Sequence, residues 1–164
     1  MATNNSINLA TPICAFAAES IADQLLVSGD GSLYEVLFPD EIFDNTNNFA
    51  ASTFTAPVDG KYIFGISMCL TGLSASMDNA YILNTKIHGG SNIYTTLLRI
   101  SFTNSQFPLT GYILNANCQM PMAAGDTLTN SIQIAGGLKT VNVLGSASAG
   151  FRTPYCYGYL LAEI

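Results

Sequence analysis

The residues of this chain that could do chemistry are few and scattered. His88 is the single histidine and is followed by Gly89-Gly90. With no serine or cysteine in a nucleophile setting, it reads as a structural or solvated side chain rather than a general base. Gly145-Ser146-Ala147-Ser148-Ala149-Gly150 misses the GxSxG nucleophile elbow by one residue. There is no P-loop, no GxGxxG and no HExxH. Cys14, Cys69, Cys118 and Cys156 lie far apart without a CxxC pair, which argues against zinc ribbons and redox motifs and leads us to expect buried free thiols. The remaining chemistry lies in the carboxylates. Asp30, Asp40, Glu41, Asp44, Asp78 and Asp126 fall in expected loops and offer the hard oxygen ligands that Ca²⁺ takes, in a spacing unlike an EF-hand. Asp44 and Asp59 also read as turn-formers whose side chains bond to nearby backbone.

Charge is sparse and uneven. Charged residues make up 10% of the 164 residues and hydrophobic ones 49%, against about 25% charged in ordinary soluble domains. Residues 1–60 hold eight acids and no base, while residues 61–164 hold three acids and all five bases. No basic stripe exists for phosphate, so nucleic acid is not an expected partner. The acidic half is a solvated face, a cation site or an electrostatic fit between neighbouring subunits. Apolar runs such as 21–27 and 62–70 stop well short of the ~20 residues a spanning helix needs, so no membrane insertion is expected. A monomer this poor in charge would expose large apolar patches, and an obligate oligomer resolves the shortage.

The elements that must position these residues read as strands. LYEVLF (33–38), KYIFGISMCL (61–70), AYILNTKIH (80–88), YTTLLRISF (94–102), GYILNANCQM (111–120), TLTNSIQIA (127–135), KTVNVLG (139–145) and YCYGYLLAEI (155–164) are β-branched or aromatic runs with partial alternation. Turn chemistry at Gly29-Asp30-Gly31, Asp59-Gly60, Gly89-Gly90 and Gly136-Gly137 separates them. A weak helical pattern spans residues 17–26. Many short strands at this spacing predict one sandwich, jelly-roll or barrel domain. Around Pro57 and Asp59-Gly60 one strand enters a tight turn and another leaves it, with Tyr62, Phe64 and Ile66 on one face and Lys61, Ile63 and Gly65 on the other. Both faces of the leaving strand are largely apolar. It is expected to be central, covered by a second sheet on one side and a neighbouring subunit on the other.

These residues resemble a known signature. Phe38, Asp44, Phe49, Phe54 and Gly60-x-Tyr62-x-Phe64-x-Ile66 follow the pattern of the complement C1q globular domain, one of the tumour-necrosis-factor-like jelly rolls. The gap from Phe49 to Phe54 is two residues shorter than in that pattern, and Ile66 stands where the family has an aromatic. Gly125-Asp126 resembles the family's late Gly-Asp corner, and Tyr157-Gly158-Tyr159-Leu160-Leu161 its closing strand. The resemblance covers residues 13–164 and implies an all-β, two-sheet, ten-stranded jelly roll that forms a homotrimer. It implies core or trimer-interface roles for Tyr62, Phe64, Ile66, Tyr157, Tyr159 and Leu161. Some relatives bind Ca²⁺ near the threefold axis or apex, which makes Asp30, Asp40, Asp44, Asp78 and Asp126 metal candidates; no other cofactor is implied.

The first residues, MATNNSINLATPICAF, contain no Lys or Arg and no long apolar run, so neither a secretory leader nor use of the Asn4-Asn5-Ser6 sequon is expected. A stand-alone module made without export looks like the trimeric modules of bacteriophage and bacterial surfaces. The expected role is a non-enzymatic virion-surface protein made in the host cytoplasm, as a head fibre, capsid decoration or tail-fibre tip. Residues 1–12 would tether it to a capsid or tail protein, and the loops at 72–79, 89–94 and 104–110 would form an apex that meets a host-surface glycan or protein. The alternatives are a bacterial surface or spore-coat trimer and a small jelly-roll carbohydrate-active enzyme with paired carboxylates.

Overall fold

The computed structural model describes residues 14–101, 111–150 and 153–164. The arm at residues 1–12, the domain's first residue, 13, and the loop at 104–110 lie outside the described residues. Among the latter are thirteen strand segments and one helical turn, α1 (Ser146–Ala149). The strands are β1 (Ala15–Glu19), β2 (Gln24–Ser28), β3 (Leu33–Glu35), β4 (Asp40–Asp44), β5 (Phe49–Ala50), β6 (Thr53–Thr55), β7 (Gly60–Thr71), β8 (Asn79–His88), β9 (Ser91–Ser101), β10 (Tyr112–Met122), β11 (Thr127–Ala135), β12 (Val141–Leu144) and β13 (Tyr155–Glu163). No helix among the described residues is long and apolar enough to cross a membrane.

The segments form two antiparallel sheets, as a jelly-roll sandwich requires. Sheet I runs β4-β1-β13-β7-β10, with β12 and β2 continuing beside the far end of β7. Sheet II runs β9-β8-β11, and β6 with β5, together with β3, shares the other edge of β11. The segments outnumber the ten expected strands because short pieces such as β3, β5 and β6 cover only two or three residues each.

β7 is the central strand of sheet I. It pairs along its length with β10 on one edge, and with β13 and then β12 on the other. Alternation sends Tyr62, Phe64 and Ile66 between the sheets, all fully buried. Phe16 of β1 stacks on Phe49 of β5 at 4.4 Å and on Phe54 of β6 at 5.1 Å, while Phe54 meets Phe64 edge-on at 5.3 Å. These rings join the two sheets.

Three local expectations change. Residues 17–26 are not helical, because β1 lies between β13 and β4 and its long-range ladder overrides the weak local pattern. The turn at 57–59 is not a hairpin: β6 belongs to sheet II and β7 to sheet I, so it carries the chain across the sandwich. Gly60 is needed there for space rather than for a left-handed backbone. A Cβ at that position would come within 2.5 Å of Leu160 Cδ1.

Of the expected loop at 89–94 only Gly89-Gly90 is a turn, because residues 91–94 pair with β8 as the start of β9, and this turn and the loop at 72–79 sit at opposite ends, since successive connections of antiparallel strands alternate ends. One end gathers Cys14, Gly60, Gly89-Gly90, Gly125 and Ile164. The other gathers the 29–32 bend, the 72–79 loop, the 136–140 bend and α1.

Gly158 sits opposite Phe64 in the ladder, where a Cβ would meet Phe16 at 2.5 Å and Phe64 at 2.6 Å. Gly158→Ala is therefore expected to overpack the ring cluster and cost about 1–3 kcal/mol, read as a lower urea midpoint with an unchanged slope.

Candidate functional site

The strongest candidate surface is the outer face of sheet I. On β13, Tyr157 and Tyr159 alternate away from the core, and the register sets them beside Gly65 and Ile63 of β7. Tyr157 lies over Gly65, where any Cβ would overlap the phenol ring, so the glycine lets the ring cover the backbone of the central strand. Tyr155 stands 5.9 Å from Tyr157, centroid to centroid. Leu161 falls in a bulge between Leu160 and Ala162 and is half exposed, with Tyr159 and Ile63 nearby in the register.

Phe43 of β4 pairs with Ala17 on the same face, and Ile113 of β10 pairs with Cys69. Phe43 is 45% exposed and Ile113 52%. The tyrosine signature pointed to this face, but Phe43 and Ile113 drew no attention, since nothing local reveals that their strands flank β13 and β7. The family-signature residues lie elsewhere. Phe38, Phe49, Phe54, Gly60 and Gly158 are buried, and Gly125 holds a left-handed corner at φ +86° with nothing near it.

A second feature is a hollow of about 450 Å³ at the end where β7 begins, lined by Asp59, Lys86, His88, Asp126, Ala123 and Ile164 among others. His88 Nδ1 lies 2.7 Å from Asp126 Oδ1, and Lys86 Nζ 3.6 Å from Asp126 Oδ2 while donating to the Pro121 carbonyl at 3.2 Å. The Ala123 N–H donates to Asp126 Oδ2 at 3.0 Å. Burial pushes the Asp126 carboxyl up, but the Ala123 and His88 hydrogen bonds and the His88 and Lys86 charges outweigh it and hold the group below its ordinary value. Alternation in 80–88 was the available signal for this pair, because it sets Lys86 and His88 on one face of β8.

Among the described residues no serine, threonine or cysteine lines the hollow beside the His–Asp pair. The four cysteines are free, three of them buried and Cys118 partly so, and burial raises all four thiols above their ordinary value.

The carboxylates considered for calcium serve as local braces instead. Asp30 accepts from the Ser32 N–H and hydroxyl, Asp40 from the Ile21 N–H, and Asp44 from the Thr46 and Phe49 N–H groups. Asp59 is not a local turn-former, since it accepts from the Ala124 N–H across 65 residues at 2.7 Å and ties the two corners together. Asp78 lies at the opposite end from Asp126, beside Gly136. Among the described residues no three His, Cys, Asp or Glu side chains of one protomer converge.

Because its folded value is depressed, Asp126 stabilises the fold above the ordinary carboxylate value of about 4, and that contribution is lost as pH falls through the lower folded value. Asp126→Asn should therefore be less stable than the parent at pH 7 by about 1–3 kcal/mol. Urea midpoints should show the gap closing toward pH 2.

No protein-family model matches the sequence, and no curated protein matches it. Solved structures do. The crystal structure of murine APRIL at pH 8.5 superposes with a TM-score of 0.59 at 12% identity, covering 91% of this chain and 99% of that one. The structure of Eiger TNF from S. frugiperda gives a TM-score of 0.55 at 12% identity, covering 94% and 96%. At this identity the likeness speaks for architecture alone: the chain has a tumour-necrosis-factor-like jelly-roll fold.

Proposed function

We propose that this chain is a non-enzymatic, homotrimeric binding module of a virion surface, a head fibre, capsid decoration or tail-fibre tip. The carrying observation is the outer face of sheet I, where Tyr157, Tyr159, Leu161 and Phe43 form an apolar, partly exposed surface beside the central strand, flanked on β10 by Ile113 and the exposed amides of Asn115, Asn117 and Gln119. A face of this kind on a chain with so few charges is expected to be covered by a copy of itself. The two outer edges next to it support the same reading. β9 and β10 are eleven-residue strands, each with one edge free of the ladders among the described residues. Unprotected edges of that length favour a partner.

The fold resemblance adds the threefold arrangement. The hollow, with no serine, threonine or cysteine among its described lining, and the four thiols raised by burial argue against enzymatic chemistry. Free thiols also suit assembly in a reducing cytoplasm. Residue 14 enters at the end that holds Ile164 and Gly60, so an arm at residues 1–12 tethered to a capsid or tail protein would turn the opposite end outward. The loop at 72–79 and the bend at 136–140 would then meet the host surface, and the turn at Gly89-Gly90 would lie on the tethered side.

Light scattering of the purified chain, with and without a chelator, tests the assembly. The expected mass is three times 17.4 kDa in both conditions. Tyr159→Glu combined with Leu161→Glu should give a folded monomer, since each substitution sets a charge in a surface that assembly dries. A stable wild-type monomer sinks the trimeric reading.

A further inference from the structure

The outer face of sheet II differs in chemistry from that of sheet I. Register lines up Glu35, Ser131 and Leu83 across β3, β11 and β8, and Thr129, Thr85 and Tyr94 across β11, β8 and β9. Two adjoining hollows of about 270 and 290 Å³ follow these rows and share Leu33 and Tyr94. Tyr94 is 54% exposed, and the Asn92 amide donates to its hydroxyl at 3.3 Å, which steadies the ring beside the groove. Thr85 Oγ1 is buried in the floor and has no hydrogen-bond partner among the described residues. Among the described residues no Lys, Arg or His lines either hollow.

We propose that this groove binds a short neutral saccharide. A pyranose has an apolar C–H face and a rim of hydroxyls that both donate and accept. An exposed tyrosine ring suits the first, and the Thr129 and Ser131 hydroxyls with the acceptor-only Glu35 carboxylate suit the second. A groove with a few convergent polar groups and one large ring is a usual form for a small-ligand site. Acidic sugars are disfavoured, because Glu35 stands in the groove without a basic partner and the chain carries a net charge of −6. Glu35 is exposed at the rim, where its carboxylate can accept from a sugar hydroxyl. This deepens the binding part of the reading above and does not depend on the trimer, since every lining residue comes from one protomer.

The test is an array of neutral and sialylated oligosaccharides probed with the labelled full-length chain, followed by calorimetric titration of the best-retained glycan in free form. Retention of neutral glycans and not sialylated ones is expected. Tyr94→Ala should weaken the titrated affinity about tenfold, Tyr94→Phe should leave it within about threefold, and Leu25→Ser, at an exposed position on β2 of sheet I, should not change it. Binding by Tyr94→Ala equal to wild type, preference for sialylated glycans, or no neutral glycan retained overturns the proposal. A monomer that binds glycan would overturn the trimer alone, and a trimer that retains no glycan would overturn this groove alone.

Discussion

The fold depends on one ring cluster. Phe16, Phe49, Phe54, Phe64 and Tyr62 come from four strands in two sheets, and their contacts at 4.4 to 6.4 Å join the layers near the point where residue 14 enters. Each offset or edge-on pair adds about 0.5–1.5 kcal/mol beyond the burial of its area. The cluster constrains its surroundings. Gly158 must lack a side chain opposite Phe64, Gly60 must lack one beside Leu160, and the Tyr62 hydroxyl must reach the Val58 carbonyl, which it does at 2.8 Å. Once those rings are seated, the parity of β7 and β13 is set. Every second residue then faces outward, which is how Tyr157 and Tyr159 come to lie on the opposite face of the sheet from Tyr62.

That parity leaves the two outer faces with different chemistry. Sheet I presents phenols and aliphatics over a backbone thinned by Gly65, with the amides of Asn115, Asn117 and Gln119 along β10, whereas sheet II presents hydroxyls, amides and single charges. Where sheet II does carry a cation it is satisfied locally: Arg99 lies 5.6 Å over the Tyr81 ring and donates to Asn79. Charged groups are scarce in this chain, and most of those present hold corners. On the outer face of sheet I the polar groups gather on β10, at Asn115, Asn117 and Gln119, while the part over β13, β1 and β4 is aromatic and aliphatic.

Much of this was legible before the structure. β8 and β11 match their expected runs to within a residue, because in each the alternation is sustained over nine or more positions. LYEVLF was legible only in part. Its strand ends at Glu35, and beyond it side chains replace the ladder: Gln24 bonds both the N–H and the carbonyl of Leu37, and the Ser52 hydroxyl takes the Phe38 N–H. Such substitutions depend on residues far along the chain and leave no periodic trace. β1 was misread for a related reason. A bulge between Ala17 and Ala18 breaks its alternation, and its identity as a strand comes from β13, some 140 residues away. The sites follow the same rule. Tyr157 and Tyr159 stood out because they neighbour each other in a motif, while Glu35 and Tyr94 share a groove only because β11 and β8 lie between their strands.

The positions of the ends carry a final consequence. Antiparallel pairing puts the entry at Cys14 and the last residue, Ile164, at one end of the sandwich, where Asp59, Lys86, His88 and Asp126 cross-link three loops through charged and backbone bonds. The opposite end is built differently. Gly29, Gly72 and Gly136 take left-handed backbones there, and each is pressed against a neighbouring carbonyl so that no side chain would fit. Carboxylates brace that end as well, Asp30 at Ser32 and Asp23 at Gly145 and Ser148, so acid weakens contacts at both ends, and what sets the second apart is the backbone packing around its glycines, which pH and salt leave intact.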